Sequence, residues 1–290
     1  MRIITLGPEG TFSEEAALLY QKRVCGQYDR KLIEFSTILG CFEKLEAYLV
    51  ERAVLPAENM VDGIIGLTFD LLLENHDFVK VCDEVHVPVR HVLASKMGLV
   101  TEVKEILSHS SALNQCVYKL STSFPSIPQT PVLSTGEAAC RAVKEEGIAA
   151  LCSPRTARRY GLKIIQDHME DYQQNQTRFL VCGLTDSPPT GRDHTLLAVR
   201  MGTNYPGQLF EITKYLMENQ IDLTFVQSRP YKVKPQDYVL LFEMTGHRSE
   251  MRLKEAFARI EEFVRTTGGW KRILGSYPRR EREELLFEGD

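Results

Sequence analysis

The chain has 290 residues, a length that accommodates two or three domains of ordinary size. Hydrophobic residues make up 43% of it and charged residues 26%, which is the composition of a globular protein in water. The formal net charge of −4 gives no electrostatic reason to expect a nucleic acid or an anionic membrane surface as a partner. We predict no nucleic-acid partner and no membrane partner, since no apolar run reaches the ~18 residues that a membrane span needs.

Seven cysteines are present, and no two of them have the Cys-x-x-Cys spacing. An odd number without that spacing argues against a disulfide framework and against a structural zinc site. Free thiols in a reducing compartment are the simplest explanation. The first apolar run is too short for a signal sequence and leads directly into a loop. We therefore expect a cytoplasmic protein with no bound metal.

The first apolar run, Ile3–Leu6, predicts a buried strand, and Gly7-Pro8-Glu9-Gly10 predicts a tight loop after it. Thr11 precedes Glu14 by three residues ahead of an apolar run, which is the spacing of a capping box at a helix N-terminus. A strand, a glycine loop and a helix N-terminus in succession offer backbone N–H groups to an anion. The signal is weak by itself, because many α/β proteins use such a turn only to change direction.

Polar side chains occur where several predicted strands give way to helices. They are Glu58 and Asn59, Ser108 with the later Gln115, and Ser134 with Thr135. Strands that alternate with helices predict a mostly parallel α/β sheet, in which ligands bind beyond the carboxyl ends of the strands. We expect these side chains to line one crevice, although turns and solvated surfaces use the same residue types.

Thr177 and Arg178 are neighbours in the stretch Asn175–Val181, directly before its apolar residues. The apolar residues predict a strand. A hydroxyl held rigidly at a strand end can donate a hydrogen bond to a leaving oxygen. A guanidinium can hold a carboxylate with two parallel hydrogen bonds. Taken alone, the pair is better explained as the polar start of an ordinary edge strand.

The order of predicted elements indicates two lobes with a cleft between them. The first lobe is expected to comprise residues 1–78 and 163–185, and the second residues 79–162. A segment rich in proline and glycine then predicts a linker. Residues 193–278 have the order βαββαβ of a ferredoxin-like unit. The charged tail, residues 279–290, is expected to fray.

Short motifs in a fixed order give the chain a resemblance to a known family. They are Gly7-Pro8-Glu9-Gly10-Thr11-Phe12-Ser13, Pro56-Ala57-Glu58-Asn59, Ser108-His109 with Gln115-Cys116, Ser134-Thr135, Asn175-Gln176-Thr177-Arg178-Phe179, Gly207-Gln208-Leu209, Ser228-Arg229-Pro230, Gly246-His247 and Leu274-Gly275-Ser276-Tyr277-Pro278. Together, over nearly the whole chain, they resemble prephenate dehydratase with a C-terminal ACT regulatory domain. The resemblance implies an α/β fold: a two-lobed, periplasmic-binding-protein-like catalytic domain with a central cleft, followed by a ferredoxin-like βαββαβ ACT domain.

The resemblance implies an enzyme that converts prephenate to phenylpyruvate, with loss of carbon dioxide and water, in phenylalanine biosynthesis and without a cofactor. Such a reaction needs orientation of the substrate and help for the departing hydroxyl. The implied catalytic residues are Thr177 as hydrogen-bond donor to that hydroxyl, Asn59 and Gln115 as neutral orienting groups, and Ser108. The implied substrate-binding residues are Gly10, Thr11, Phe12, Glu58, Ser134, Thr135, Arg178 and Phe179. Arg178, the Gly10 and Thr11 amides and the Ser108 hydroxyl are expected to bind the substrate carboxylates, and Glu58 to hold Arg178 or a nearby loop.

The resemblance also implies an effector site for phenylalanine in the last domain. Its expected residues are Gly207, Gln208, Leu209, Gln227, Ser228, Arg229 and Pro230. Gln227 replaces the usual Glu of the family, and Gln208 replaces a small residue, so a charge-assisted partner for an ammonium group is lost. We hypothesise that phenylalanine feedback is weakened or retuned to another amino acid. ACT domains commonly pair side by side, which implies a homodimer or homotetramer.

Three other functions stay open. Arogenate dehydratase needs only tolerance of an amino group in place of the keto group. A prephenate decarboxylase of specialised metabolism would retain the ring hydroxyl. Thr177 argues against that function, whereas Met60 and Ile64, which stand where the family usually has polar residues, keep it open. A non-enzymatic amino-acid-binding sensor would be expected to lose some of the catalytic residues.

Overall fold

The computed structural model describes residues 1–74, 78–203, 206–233 and 235–281, so most of the charged tail expected to fray lies outside the described residues. The strands are β1 (Ile3–Leu6), β2 (Ile33–Ser36), β3 (Arg52–Asn59), β4 (Gly63–Ile64), β5 (Lys80–Pro88), β6 (Val92–Ser95), β7 (Glu105–Ser108), β8 (Gln129–Pro131), β9 (Ile148–Cys152), β10 (Lys163–Gln166), β11 (Gln176–Gly183), β12 (Asp193–Arg200), β13 (Leu223–Pro230), β14 (Tyr238–Thr245) and β15 (Trp270–Pro278). The α-helices are α1 (Phe12–Cys25), α2 (Ile38–Glu46), α3 (Gly66–Leu73), α4 (Ser110–Asn114), α5 (Val117–Ser123), α6 (Thr135–Lys144), α7 (Pro154–Arg159), α8 (Gln208–Glu218) and α9 (Met251–Thr266). Within these ranges no helix has the length and apolar character to cross a membrane.

The first lobe is built on a mixed sheet with the strand order β2-β1-β3-β11-β5, and β4 pairs with β3. β1 pairs in parallel with β2 and β3, whereas β11 runs antiparallel to β3 and β5. Ile3 and Ile4 are both fully buried, because the two faces of β1 are covered. β5 lies at the edge of the sheet, where Pro88 can end it without removing a ladder hydrogen bond.

The second lobe is built on a separate sheet with the order β10-β6-β9-β7-β8. This assignment corrects the expected lobe boundaries of residues 79 and 162. β5 belongs to the first sheet and β10 to the second, so the chain crosses between lobes within residues 89–91 and 167–175. The sequence did not show this, because β5 and β11 pair across about ninety intervening residues.

The C-terminal domain has the predicted order βαββαβ. Its antiparallel sheet has the order β13-β14-β12-β15. One face is covered by α8 and α9, whose apolar stripes carry the buried residues Ile212, Leu216, Phe257, Ile260 and Val264. These residues recur at intervals of three or four along each helix, so one face of each helix is apolar.

The other face of that sheet packs on the first lobe. Leu196, Leu241 and Tyr277 belong to the same buried cluster as Leu72 and Val81. A Cβ on Gly275 would lie 2.1 Å from the carbonyl oxygen of Val81. Only glycine permits this backbone contact, so the C-terminal domain is docked against β5 rather than tethered loosely by the linker.

Candidate active site

A cleft between the two lobes encloses about 260 Å³, which suits one small molecule. Its walls come from the loop after β1, the end of β3, the start of β11 and the first turns of α1, α4 and α6. The expected site residues that line it are Thr11, Phe12, Asn59, Gln115, Ser134, Thr135, Thr177 and Phe179. The expected residues Gly10, Glu58, Ser108 and Arg178 lie outside its described lining.

Thr177 and Asn59 form a buried pair on the floor of the cleft, because they lie opposite each other in the β11–β3 ladder. Asn59 Oδ1 accepts hydrogen bonds from the backbone N–H groups of Val61 and Asp62, each at 2.9 Å. The Asn59 amide nitrogen must therefore face Thr177, to whose Oγ1 it donates at 2.9 Å. Because this oxygen accepts, the hydroxyl hydrogen of Thr177 remains to be donated to another group.

Gln115 is saturated by protein partners. Its Nε2 donates to Asp62 Oδ2 at 2.6 Å and to Ser111 Oγ at 3.1 Å. Its Oε1 lies 3.2 Å from His91 Nε2 and accepts from Asn175 Nδ2 at 3.1 Å. An amide has two donor hydrogens and two acceptor lone pairs, so all four positions are used. Gln115 shapes the cleft wall, but in this state it has no hydrogen bond left for a substrate.

His91 lies behind Gln115 and is only 2% exposed. Burial lowers its pKa, because a charged imidazolium would lose its hydration. Its ring packs edge-to-face on Phe12, with the ring centroids 5.6 Å apart and the planes at 83°. The cleft therefore contains a neutral imidazole in a fixed orientation at neutral pH.

The glycine loop differs from the expected anion site. The Glu14 carboxylate accepts from the Gly10 N–H at 2.7 Å, and the Gly10 carbonyl accepts from the Thr156 hydroxyl. The Thr11 hydroxyl donates to the Pro8 carbonyl at 3.0 Å and does not cap α1. The capping-box prediction is thus wrong in its details: Glu14 does reach back, but to Gly10. The Gly10 amide is already occupied, and the first turn of α1 is left without a side-chain cap.

Arg178 does not lie where the sequence analysis expected it. It points away from the cleft, toward the C-terminal domain, where Nε donates to Glu84 at 2.7 Å and Nη2 to Glu243 and to the Tyr277 hydroxyl. Burial raises the pKa of Glu84, whereas contact with His86 and the charge of Arg178 lower it. The net result is a pKa of about 2. Arg178 is consequently an interface residue and not a partner for a substrate carboxylate.

Ser108 and Glu58 are also displaced from their expected roles. Ser108 is fully buried in the second sheet and donates to the Leu151 carbonyl at 2.6 Å, so its hydroxyl faces the lobe interior. Glu58 lies opposite Arg178 in the ladder, but Arg178 pairs with Glu84 and Glu243 instead. Neither side chain faces the cleft.

The two positions before the C-terminal domain that depart from the family pattern, Met60 and Ile64, do not line the cleft either. Met60 is 61% exposed, and Ile64 packs against the core shared with the C-terminal domain. These substitutions therefore change the surroundings of the site rather than its described walls.

The sequence predicted no site role for several cleft residues, among them Asp62, His91 and Ser111. Asp62 follows Asn59 by three residues, in the turn before Gly63, and Ser111 follows the Ser108-His109 motif by two. Their proximity to recognised motifs was the available signal. His91 had no comparable signal, because its position depends on where the chain crosses between lobes.

The described cleft lining contains no arginine or lysine, and Asp62 is its one carboxylate. The N-termini of α1, from the first lobe, and of α6, from the second, contribute to the lining instead. A helix N-terminus presents unpaired N–H groups and the positive end of the helix dipole. The cleft can therefore bind carboxylates through backbone groups.

A second cavity, of about 360 Å³, lies in the C-terminal domain. The expected effector residues Gly207, Gln208, Leu209 and Ser228 line it. Gln208 is buried there and donates to the Thr203 carbonyl, so its side chain occupies part of the space.

The other three expected effector residues lie outside the described lining of this cavity. They are Gln227, Arg229 and Pro230. Arg229 turns to the first lobe, where it donates to Asp70 at 2.8 Å. It therefore ties β13 to α3 and does not face the cavity.

The chain is similar to several known proteins. A family model described as prephenate dehydratase matches residues 3–187. A bifunctional chorismate mutase/prephenate dehydratase of Aquifex aeolicus is 32% identical and the alignment covers 96% of this chain and 74% of that protein. A chloroplastic arogenate dehydratase/prephenate dehydratase of Arabidopsis thaliana is 31% identical, with 96% and 72% covered. The crystal structure of a prephenate dehydratase from Arthrobacter aurescens, in complex with L-Phe, has a TM-score of 0.85 at 25% identity and covers 99% of this chain and 92% of that chain.

The chain is therefore an enzyme of the carbon–oxygen lyase class. It belongs to the prephenate dehydratase family.

Proposed function

We propose that this protein converts prephenate to phenylpyruvate in the cleft between its lobes. The bond between the ring and its carboxylate breaks, carbon dioxide leaves, and the electron pair enters the ring. The ring carbon–oxygen bond then breaks with its electrons, hydroxide leaves, and the ring becomes aromatic. The reaction has a built-in driving force, so the protein needs to supply orientation and stabilisation of the departing hydroxyl.

The main support for this proposal is the hydrogen bond between Asn59 and Thr177. Asn59 is locked with its amide nitrogen toward Thr177, so the Thr177 oxygen accepts and its hydrogen is available for the leaving oxygen. A threonine hydroxyl is too weak an acid to give up its proton fully. Its contribution is a placed hydrogen bond to developing negative charge, in a site where both partners are buried.

The two carboxylates of prephenate require partners other than Arg178, the Gly10 amide and Ser108. We place them at the N-termini of α1 and α6, because these helices meet the cleft from different lobes. Binding at both ends would hold the lobes together around the substrate. Phe12 and Phe179 offer apolar surface for the ring that becomes aromatic.

A product assay tests the reaction. Purified protein is incubated with prephenate and, separately, with arogenate, and products are identified by ultraviolet spectrum and mass. Phenylpyruvate from prephenate is expected. Phenylalanine from arogenate alone would make the protein an arogenate dehydratase, a dihydroaromatic hydroxy acid would make it a decarboxylase, and no turnover of either compound would leave the sensor function.

We further propose that the C-terminal domain is an ACT regulatory domain whose cavity binds an amino acid. The Arthrobacter aurescens protein was crystallised with L-Phe, which supports phenylalanine as the effector class. Burial of Gln208 in the cavity supports weakened or retuned binding. Calorimetry should show weak phenylalanine binding that tightens in Gln208→Ala. Micromolar binding by the unmodified protein would contradict this expectation.

A homodimer or homotetramer is proposed for the same domain. β13 is an outer strand of its sheet, and Leu209, Phe210 and Val226 are 47%, 64% and 47% exposed. An unpaired strand edge beside apolar side chains favours pairing with a second copy. Light scattering at micromolar concentration should give at least twice the mass of one chain, and a monomer would refute the proposal.

A further inference from the structure

Asp62 joins the two lobes across the cleft. It lies in the turn after β3, in the first lobe, and its Oδ2 accepts from Ser111 and Gln115 of the second lobe. Its backbone N–H also donates to Asn59 Oδ1 at 2.9 Å. One residue therefore contacts both the Asn59–Thr177 pair and the Gln115 network.

The Gln115 network has a direction that Asp62 alone defines. Amides and a neutral imidazole can each donate or accept, so Gln115, His91 and Asn175 could all be inverted together without losing a hydrogen bond among the three. A carboxylate only accepts. Because Asp62 Oδ2 lies 2.6 Å from the end of the Gln115 side chain, that end must be the NH₂ group.

The orientation of the Gln115 amide determines the hydrogen bonds of His91 and Asn175. Gln115 Oε1 faces His91 and Asn175 and can only accept, so the neutral His91 must carry its hydrogen on Nε2 and leave Nδ1 bare. We infer that Asp62 is a positioning residue that fixes the Gln115 amide and, through it, the Nε2–H tautomer of His91 in the cleft wall.

The consequence for the proposed reaction is a cleft wall of fixed polarity. With Gln115 locked, its amide hydrogens stay on Asp62 and Ser111 and do not compete with Thr177 for the departing hydroxyl. Release of the amide would let the wall present donors and acceptors in more than one arrangement. This effect on catalysis rests on the proposed function, whereas the tautomer itself does not.

Nitrogen-15 NMR of the histidine rings tests the inference without a substrate. The signal of His91 is assigned by its loss in His91→Gln. The unmodified protein should show a protonated Nε2 and a bare Nδ1. Asp62→Asn keeps the size of the side chain but can also donate, so it should give both tautomers of His91. Ser111→Ala keeps the carboxylate and should preserve the single tautomer.

Steady-state kinetics provide the second readout. Asp62→Asn should lower kcat about 10- to 100-fold, the range for the loss of one hydrogen bond to a charged group, with a smaller change in KM. A protonated Nδ1 in the unmodified protein, or an Asp62→Asn variant with an unchanged tautomer and kcat, would overturn the inference. If neither prephenate nor arogenate is turned over, the proposed function fails while the NMR result still decides the role of Asp62.

Discussion

At the scale of single residues, Thr177 and Arg178 show how strand geometry separates neighbouring roles. Side chains alternate between the two faces of a sheet, so adjacent residues cannot both face one cleft. Thr177 faces the cleft, and Arg178 faces Glu84 and Glu243 at the domain interface. The motif predicted that both residues matter. The alternation within the same predicted strand was the signal that they serve different sites.

Loss of the Arg178 charge should affect stability far more than substrate binding. Arg178→Met leaves two buried carboxylates without their cation and is expected to lower the unfolding free energy by about 3–5 kcal/mol. KM for prephenate should change less than about threefold, because Arg178 does not line the cleft. Urea unfolding and steady-state kinetics measure the two effects.

Arg141→Met is the matched control. Arg141 on α6 forms an exposed pair with Glu145, which follows the helix, so its loss should lower the unfolding free energy only slightly. A large rise in KM for Arg178→Met, with an unchanged free energy of unfolding, would show that Arg178 binds the substrate.

At the scale of elements, the sequence predicted most strands and helices but not all of their partners. Patterns of period two and 3.6 depend on neighbouring residues, so β1, α8 and α9 could be recognised locally. The pairing of β5 with β11 depends on residues far apart in the chain. The predicted lobe boundaries were wrong because no local pattern shows this pairing. Helix starts were recognised, yet the partner of Glu14 was not, because a carboxylate at the third helical position can reach more than one N–H.

The contact among β5, β11 and β14 should make stability depend on pH. The folded pKa of Glu84 is about 2, below its ordinary value of 4.5. A lowered carboxyl pKa stabilises the fold fully above the unfolded value, and the stabilisation is lost as pH falls from about 4.5 toward 2. The shift corresponds to about 3 kcal/mol.

Unfolding followed by circular dichroism between pH 6 and 2 measures this dependence. Glu84→Gln should show a shallower loss of stability in that window than the unmodified protein, because the titrating group is gone. Parallel curves for the two proteins would show that Glu84 does not titrate with the fold.

At the scale of the whole molecule, the described residues form three sheets, and the sequence did not show how the bodies built on them dock. The first lobe and the C-terminal domain share one buried cluster, and Arg178, Arg229 and Lys232 add ion pairs across the contact. Such contacts join residues that are distant in the chain, so no local pattern reports them. The ion pairs place the strand that carries Thr177 next to the domain proposed to bind an effector.

Gly275 tests that docking. Gly275→Ala places a methyl group 2.1 Å from the Val81 carbonyl, so the sheets must separate and stability should fall by about 2 kcal/mol or more. Gly191→Ala is the control, because its Cβ would meet open space and only its positive φ of 86° opposes the substitution. Equal melting temperatures for the two variants would contradict the close contact between β15 and β5.

The central claim is that the Thr177 hydroxyl assists the departing group in the cleft, and kcat for a matched series tests it most directly. Thr177→Val keeps the shape of the side chain and exchanges the hydroxyl for a methyl group, whereas Thr177→Ser keeps the hydroxyl. We expect Thr177→Val to lower kcat about 10²- to 10³-fold, the usual loss for one placed donor, and Thr177→Ser to retain most of it. A Thr177→Val variant that forms phenylpyruvate with nearly the original kcat would contradict a role of the Thr177 hydroxyl in the reaction.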